Sequence, residues 1–187
     1  RAYTAEHAKQ PEQVLAAANH RITTDTHGGL FVTLVYAILN PATGELLYSN
    51  AGHNPPLLFC RSGEEQSLTN TGVPLGVFED AAWGVGRVEI GSGDLLVFYT
   101  DGITEATDGN GAQYGDERLR TVLAALAGRS ASELIAAVLA DLDRFTGGEA
   151  PYDDLTMVVV RREPTPQQEP ALRDWSHIRP RAEGRRG

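Results

Sequence analysis

The chain has 187 residues and a formal net charge of -9, from sixteen Lys and Arg against twenty-five Asp and Glu. With 41% hydrophobic and 22% charged residues it is neither disordered nor fibrous, and it is long enough to bury a core without covalent staples. One cysteine, Cys60, excludes an internal disulfide framework. No apolar run reaches the roughly 20 residues of a membrane span, and the acidic body argues against a nucleic-acid partner.

Lone Cys60 fits a reducing compartment, so a cytoplasmic location is expected. Arg1 opens the chain and Met157 is its only methionine, so it is expected to be a piece of a longer or processed protein.

Pro11 followed by EQVLAAANHRI predicts a helix, with Val14, Leu15, Ala18 and Ile22 on one face. Leu30–Asn40 is a β-rich run that is apolar on both faces, which predicts a central strand. Pro41-Ala42-Thr43-Gly44 predicts a turn, with Glu45–Asn50 as the return strand of a hairpin. Further strands are predicted at Leu57–Arg61, Gln66–Thr69, Val85–Ile90 and Asp94–Thr100, and Gly91-Ser92-Gly93 connects the last two. Helices are predicted at Asp116–Leu126 and Ala131–Phe145, the second introduced by the capping box Ser130 and Glu133. A last strand spans Leu155–Arg161. The four prolines and scattered charges from residue 163 onward predict a flexible tail. This order predicts an α+β fold with helices packed on antiparallel sheet.

Charge is uneven along the chain. Twelve acids and four arginines lie between Asp94 and Asp154. Such a concentration suits either a cation site or a solvated face. Two acidic turns flank apolar strands within it. Thr100-Asp101-Gly102-Ile103-Thr104-Glu105 follows LLVFY, and Asp153-Asp154-Leu155-Thr156 precedes MVVV. If those strands are neighbours, Asp101 and Asp153 converge across 52 positions of sequence, and several carboxylates together suit Mg²⁺ or Mn²⁺. Gly102 is read as permitting the sharp turn. Read singly, each motif is equally well a plain turn.

Other signals are weaker. His53, in Ala51-Gly52-His53-Asn54-Pro55-Pro56, reads chiefly as a residue that fixes its loop, and otherwise as an acid or ligand. Gly72-Val73-Pro74-Leu75-Gly76 lacks the spacing and lysine of a phosphate-binding loop, and Cys60 reads as a small core residue.

Four segments in order, FVTLVYAILNPATGELLYSNAGHNPPLL, GVPLG, GDLLVFYTDGITEA and DDLTMVVV, resemble the metal-dependent PPM-class (PP2C-like) serine/threonine phosphatases. The nearest branch is SpoIIE/RsbU-like, and the resemblance covers about residues 1–162. It implies an α-β-β-α sandwich carrying two Mn²⁺ or Mg²⁺ ions, which activate a water for hydrolysis of phosphoserine or phosphothreonine. It also implies Asp101 and Asp153 as ligands, Asp154 beside them as a further ligand, and Gly102 and Glu105 as outer supports. The implied substrate is a phosphorylated anti-anti-sigma factor, and the implied neighbour in the chain is an upstream sensor domain.

One family motif is missing. The Gly-Asp-x-x-Gly-His-Gly segment, whose Asp bridges both metals, occurs nowhere in the chain, and neither do the first strands around it. The fragment is therefore expected to be inactive alone. The alternative is a non-catalytic module on the same fold that binds a partner.

Overall fold

The structure is a computed structural model that describes residues 10–25, 30–149 and 153–163. The predicted tail and the first nine residues lie outside the described residues. No helix among the described residues is long and apolar enough to cross a membrane.

Helix α1 spans Pro11–Asp25. It is followed by β1 (Leu34–Leu39), β2 (Glu45–Ala51), β3 (Leu57–Phe59), β4 (Glu65–Ser67), β5 (Gly86–Glu89) and β6 (Leu95–Tyr99). Then come the one-turn helix α2 (Asp101–Thr104), helices α3 (Asp116–Ala125) and α4 (Ala131–Thr146), and strand β7 (Met157–Arg161). Among the described residues these strands make two antiparallel sheets, ordered β1-β2-β5 and β4-β3-β6-β7.

Side-chain alternation builds the layers. Along β6, Leu95, Val97 and Tyr99 face α3 and α4, whereas Leu96 and Phe98 face the other sheet. Strand β3 divides the same way, with Leu57 and Phe59 toward the helices and Leu58 toward the first sheet. Helix α1 covers the outer face of the first sheet, packing Leu15, Ala18 and Ile22 with Ala51, Leu75, Leu34 and Tyr36. The result is the α-β-β-α sandwich. Each buried Leu or Val in these layers contributes about 1.5–3 kcal/mol.

Two expectations need correction. Leu30–Asn40 is shorter than a full strand: β1 begins at Leu34, and only Val32, in a bridge to Leu75, pairs before it. Among the described residues β1 is also an end strand, not a central one. Its apolarity on both faces arises because α1 covers one face and the second sheet the other, so two-sided burial comes from layers instead of strand neighbours.

Asn19 explains how α1 is held. It is buried on the apolar helix face, where its amide donates to the carbonyls of Phe78 and Glu79 (2.9 and 3.1 Å) and accepts from the Gly76 N–H at 2.7 Å. The Gly-Val-Pro-Leu-Gly loop is thus a clamp for α1. At the other end of the chain, α4 begins on the predicted capping box and ends on left-handed Gly147.

A charged knot joins α3 to α4. Asp141 accepts from Arg118 Nε at 2.8 Å and from the Tyr114 hydroxyl at 3.0 Å, and its side chain is only 15% exposed. The hydrogen bond from Arg118 is the main cause that holds the Asp141 carboxyl below its ordinary pKa, and burial pushes the Tyr114 phenol up to about 12. A carboxyl lowered on folding stabilises fully above the ordinary range, near pH ~3.9, and that stabilisation is lost as pH falls through the folded value. Asp141→Asn is expected to cost about 1–3 kcal/mol at neutral pH. It should also flatten the acid limb of the unfolding midpoint measured against pH by circular dichroism.

Candidate metal centre

Strands β6 and β7 are neighbours, with Tyr99 opposite Met157 and Leu95 opposite Arg161. The chain leaves β6 at Thr100 and enters β7 from Thr156, so the two acidic turns emerge side by side at one rim of the sandwich. Cross-turn hydrogen bonds stitch them together. Thr100 N–H donates to the Thr156 carbonyl at 3.1 Å. The Thr100 hydroxyl donates to the Asp154 carbonyl at 3.1 Å and accepts from the Thr156 N–H at 3.0 Å.

Asp101 opens α2, so the predicted turn is a single helical turn, closed where Glu105 N–H donates to the Asp101 carbonyl at 2.7 Å. Gly102 is needed for a different reason from the one read in sequence. Its φ is not positive; instead, a Cβ there would lie 2.6 Å from the Asp154 carbonyl oxygen. The glycine lets two backbones touch.

Asp101, Asp153 and Asp154 are all exposed. One oxygen of Asp101 accepts from Gly102 N–H (3.1 Å) and one of Asp153 from Asp154 N–H (2.7 Å), which leaves a second oxygen on each for an outside ligand. Among the described residues none of the three is in an ion pair. Oxygen donors of this kind fit a hard divalent cation. In number they are few: among the described residues no group of three or more His, Cys, Asp or Glu is placed to hold a metal. Asp154 reaches Asp101's turn through its backbone carbonyl. Glu105 stands exposed at the far end of α2.

Three other acids of the segment are engaged elsewhere. Asp94 is buried, accepting from Arg61 N–H and Gly91 N–H at 2.8 and 2.7 Å. Asp116 accepts from the Tyr99 hydroxyl at 2.9 Å, and Asp108 accepts from the N–H groups of Asn110 and Ala112 within its own loop.

His53 is half-buried, with its Nδ1 3.2 Å from the Thr33 hydroxyl. It lines an apolar cleft of about 510 Å³ with Val35, Phe98, Thr100 and Val158. The residue that fixes its loop is Asn50, fully buried, whose side chain accepts from His53 N–H and donates to the carbonyls of His53 and Leu68. Cys60 is half-buried at the opposite rim, its thiol pKa raised by burial and by Asp94 and Glu64.

The phosphoserine phosphatase RsbU of Bacillus subtilis is 26% identical over 153 residues, covering 81% of this chain and 45% of that protein. This chain thus spans under half the length of that relative. The structure of the RsbU and RsbW domains of Rv1364c from Mycobacterium tuberculosis matches with a TM-score of 0.70 at 28% identity, over 87% of this chain and 45% of that one. The phosphatase domain of SpoIIE from Bacillus subtilis, presoaked with Mn, shares the fold with a TM-score of 0.55 at 21% identity, over 70% of this chain and 56% of that one. The family model described as Stage II sporulation protein E (SpoIIE) matches residues 1–163, which include every described residue, and the chain belongs to that family.

Proposed function

We propose that this chain contributes to a PP2C-type protein phosphatase domain that hydrolyses phosphoserine or phosphothreonine on a regulatory protein of the anti-anti-sigma-factor type. One observation carries the reading: two acidic turns on paired strands are locked side by side, with exposed carboxylates that form no ion pair among the described residues. The naming of RsbU as a phosphoserine phosphatase and the Mn-presoaked SpoIIE domain support it.

Asp101 and Asp153 would hold divalent cations, Mn²⁺ or Mg²⁺, with Asp154 as a further ligand and Glu105 as an outer support. When bound, such cations supply Lewis acidity and neutralise charge on a phosphate. The chain's own part is positional. Strands β6 and β7 fix the two carboxylates at the rim, and Gly102 admits the close backbone contact that keeps them there. A second reading, a partner-binding module without hydrolysis, is favoured by the finding that no three His, Cys, Asp or Glu side chains are grouped to hold a metal among the described residues. In the first reading a phosphorylated regulatory protein meets this rim and a sensor domain lies upstream; the second keeps only a partner protein bound on the same fold.

Asp101→Asn and Asp153→Asn, made in the intact protein, should each lower Mn²⁺-dependent release of phosphate from a phosphoserine protein by about 10²-fold or more, the scale of several kcal/mol of metal assistance. Circular dichroism should show the fold unchanged, because both side chains are exposed. Full activity in both variants would remove the metal assignment, and an inactive wild-type protein that still binds the phosphoprotein would establish the second reading.

Gly102→Ala should act without touching a carboxylate. The new methyl would meet the Asp154 carbonyl at 2.6 Å, so the turns must separate. Overpacking of this kind costs about 1–3 kcal/mol. The expected result is a lower unfolding midpoint together with weaker Mn²⁺ dependence, read by calorimetry and by activity against Mn²⁺ concentration.

A further inference from the structure

We propose that Thr100 is a positioning residue for the metal-holding carboxylates, setting the distance between Asp101 and Asp153 through its hydroxyl; this rests on the metal reading above. Thr100 occupies the N-cap of α2. A threonine there ordinarily turns its oxygen inward to accept from the second or third N–H of its own helix. In this structure it makes no such bond. The hydroxyl is turned across the rim instead, donating to the Asp154 carbonyl at 3.1 Å and accepting from the Thr156 N–H at 3.0 Å.

This use needs a group that both donates and accepts at one atom, which only a hydroxyl at this position supplies. Its place in sequence makes it consequential. Asp101 follows Thr100 directly, and Asp153 precedes the bonded Asp154 directly. The clasp therefore sits one residue from each ligand, and Gly102 presses on the same Asp154 carbonyl from the next position. A small divalent cation such as Mg²⁺, which takes oxygen ligands at about 2.0–2.1 Å, would tolerate little slip between two carboxylates on separate turns. Partners that orient ligands in this way typically change metal affinity by about 10–100-fold when removed.

The test is Mn²⁺ binding to the intact protein, followed by calorimetry and by the Mn²⁺ paramagnetic resonance signal, for wild type, Thr100→Val, Thr100→Ser and Asp101→Asn. Thr100→Val should weaken Mn²⁺ binding about 10–100-fold, with Thr100→Ser at the wild-type value. The metal-free protein should unfold cooperatively in both, at the wild-type midpoint in Thr100→Ser and somewhat lower in Thr100→Val, which loses two hydrogen bonds. If Thr100→Val fails to fold, Thr100→Ala against Thr100→Ser, which differ only in the hydroxyl, replaces it with the same expectation. Wild-type affinity in Thr100→Val or Thr100→Ala, with binding lost in Asp101→Asn, would overturn the positioning role and leave the metal site standing. Weak binding in Thr100→Ser would overturn it too, since the hydroxyl is then not what matters. Wild-type affinity in Asp101→Asn would remove the metal reading itself.

Discussion

Everything that happens at the acidic rim depends on the pairing of β6 with β7. Asp101 and Asp153 are 52 positions apart, and the segment between them contains both helices of one outer layer. Antiparallel pairing brings their turns together because the last pair, Tyr99 opposite Met157, places the start of one turn beside the end of the other. A slip of one residue would turn every side chain of β7 to the opposite face. Val159 and Met157 would then leave the helix-side core, so packing of that core enforces the register that aligns the turns.

The two outer layers are fixed by different chemistry. Helices α3 and α4 are held by a large apolar cluster and by the Asp141 knot. Helix α1 buries a smaller cluster and relies on Asn19, which satisfies two loop carbonyls and one N–H at once. Losing that amide would strand three polar partners in a partly buried site, which is why one side chain does the work of several apolar contacts. At the rim opposite the acidic turns, Arg162 ties the sheets together by donating to the carbonyls of Thr43 and Ile90 (3.0 and 2.6 Å). One end of the sandwich is closed by satisfied charge, and the other displays carboxylates.

Much of this was legible in the sequence because it is local or periodic. The alternation of Leu95 to Tyr99, the capping box at Ser130 and the acidic ends of two apolar strands all declare themselves in short windows, while the pairing of those strands was only a condition until the fold supplied it. What stayed hidden depends on tertiary neighbours. Gly102 looked like a turn glycine, but its cause is the Asp154 carbonyl, supplied from 52 positions away. Asn19 was an unexplained polar residue on an apolar helix face, a signal that a buried partner existed without saying which. His53 drew attention as a histidine in a constrained loop, while Asn50, three residues earlier, makes the bonds that fix that loop. Two-sided apolarity in β1 could not distinguish a central strand from an end strand covered by layers on both faces.

The rim also explains why the clasp is made of backbone and hydroxyl groups. Exposed carboxylates about 4 Å apart in water repel by roughly 1 kcal/mol, and a typical hydrogen bond contributes about 0.5–1.5 kcal/mol. Three cross-turn bonds, from Thr100 N–H, from the Thr100 hydroxyl and to that hydroxyl from Thr156 N–H, are therefore enough to hold the turns against their own charge. An arginine between the turns would neutralise the same charge more strongly, but it would also cover the carboxylates that the neutral clasp leaves exposed. Neutral groups hold the geometry and leave the charge unspent. The carboxylates are thus arranged by the chain itself, and on the metal reading proposed above the free energy of binding a cation would not be consumed in assembling the site.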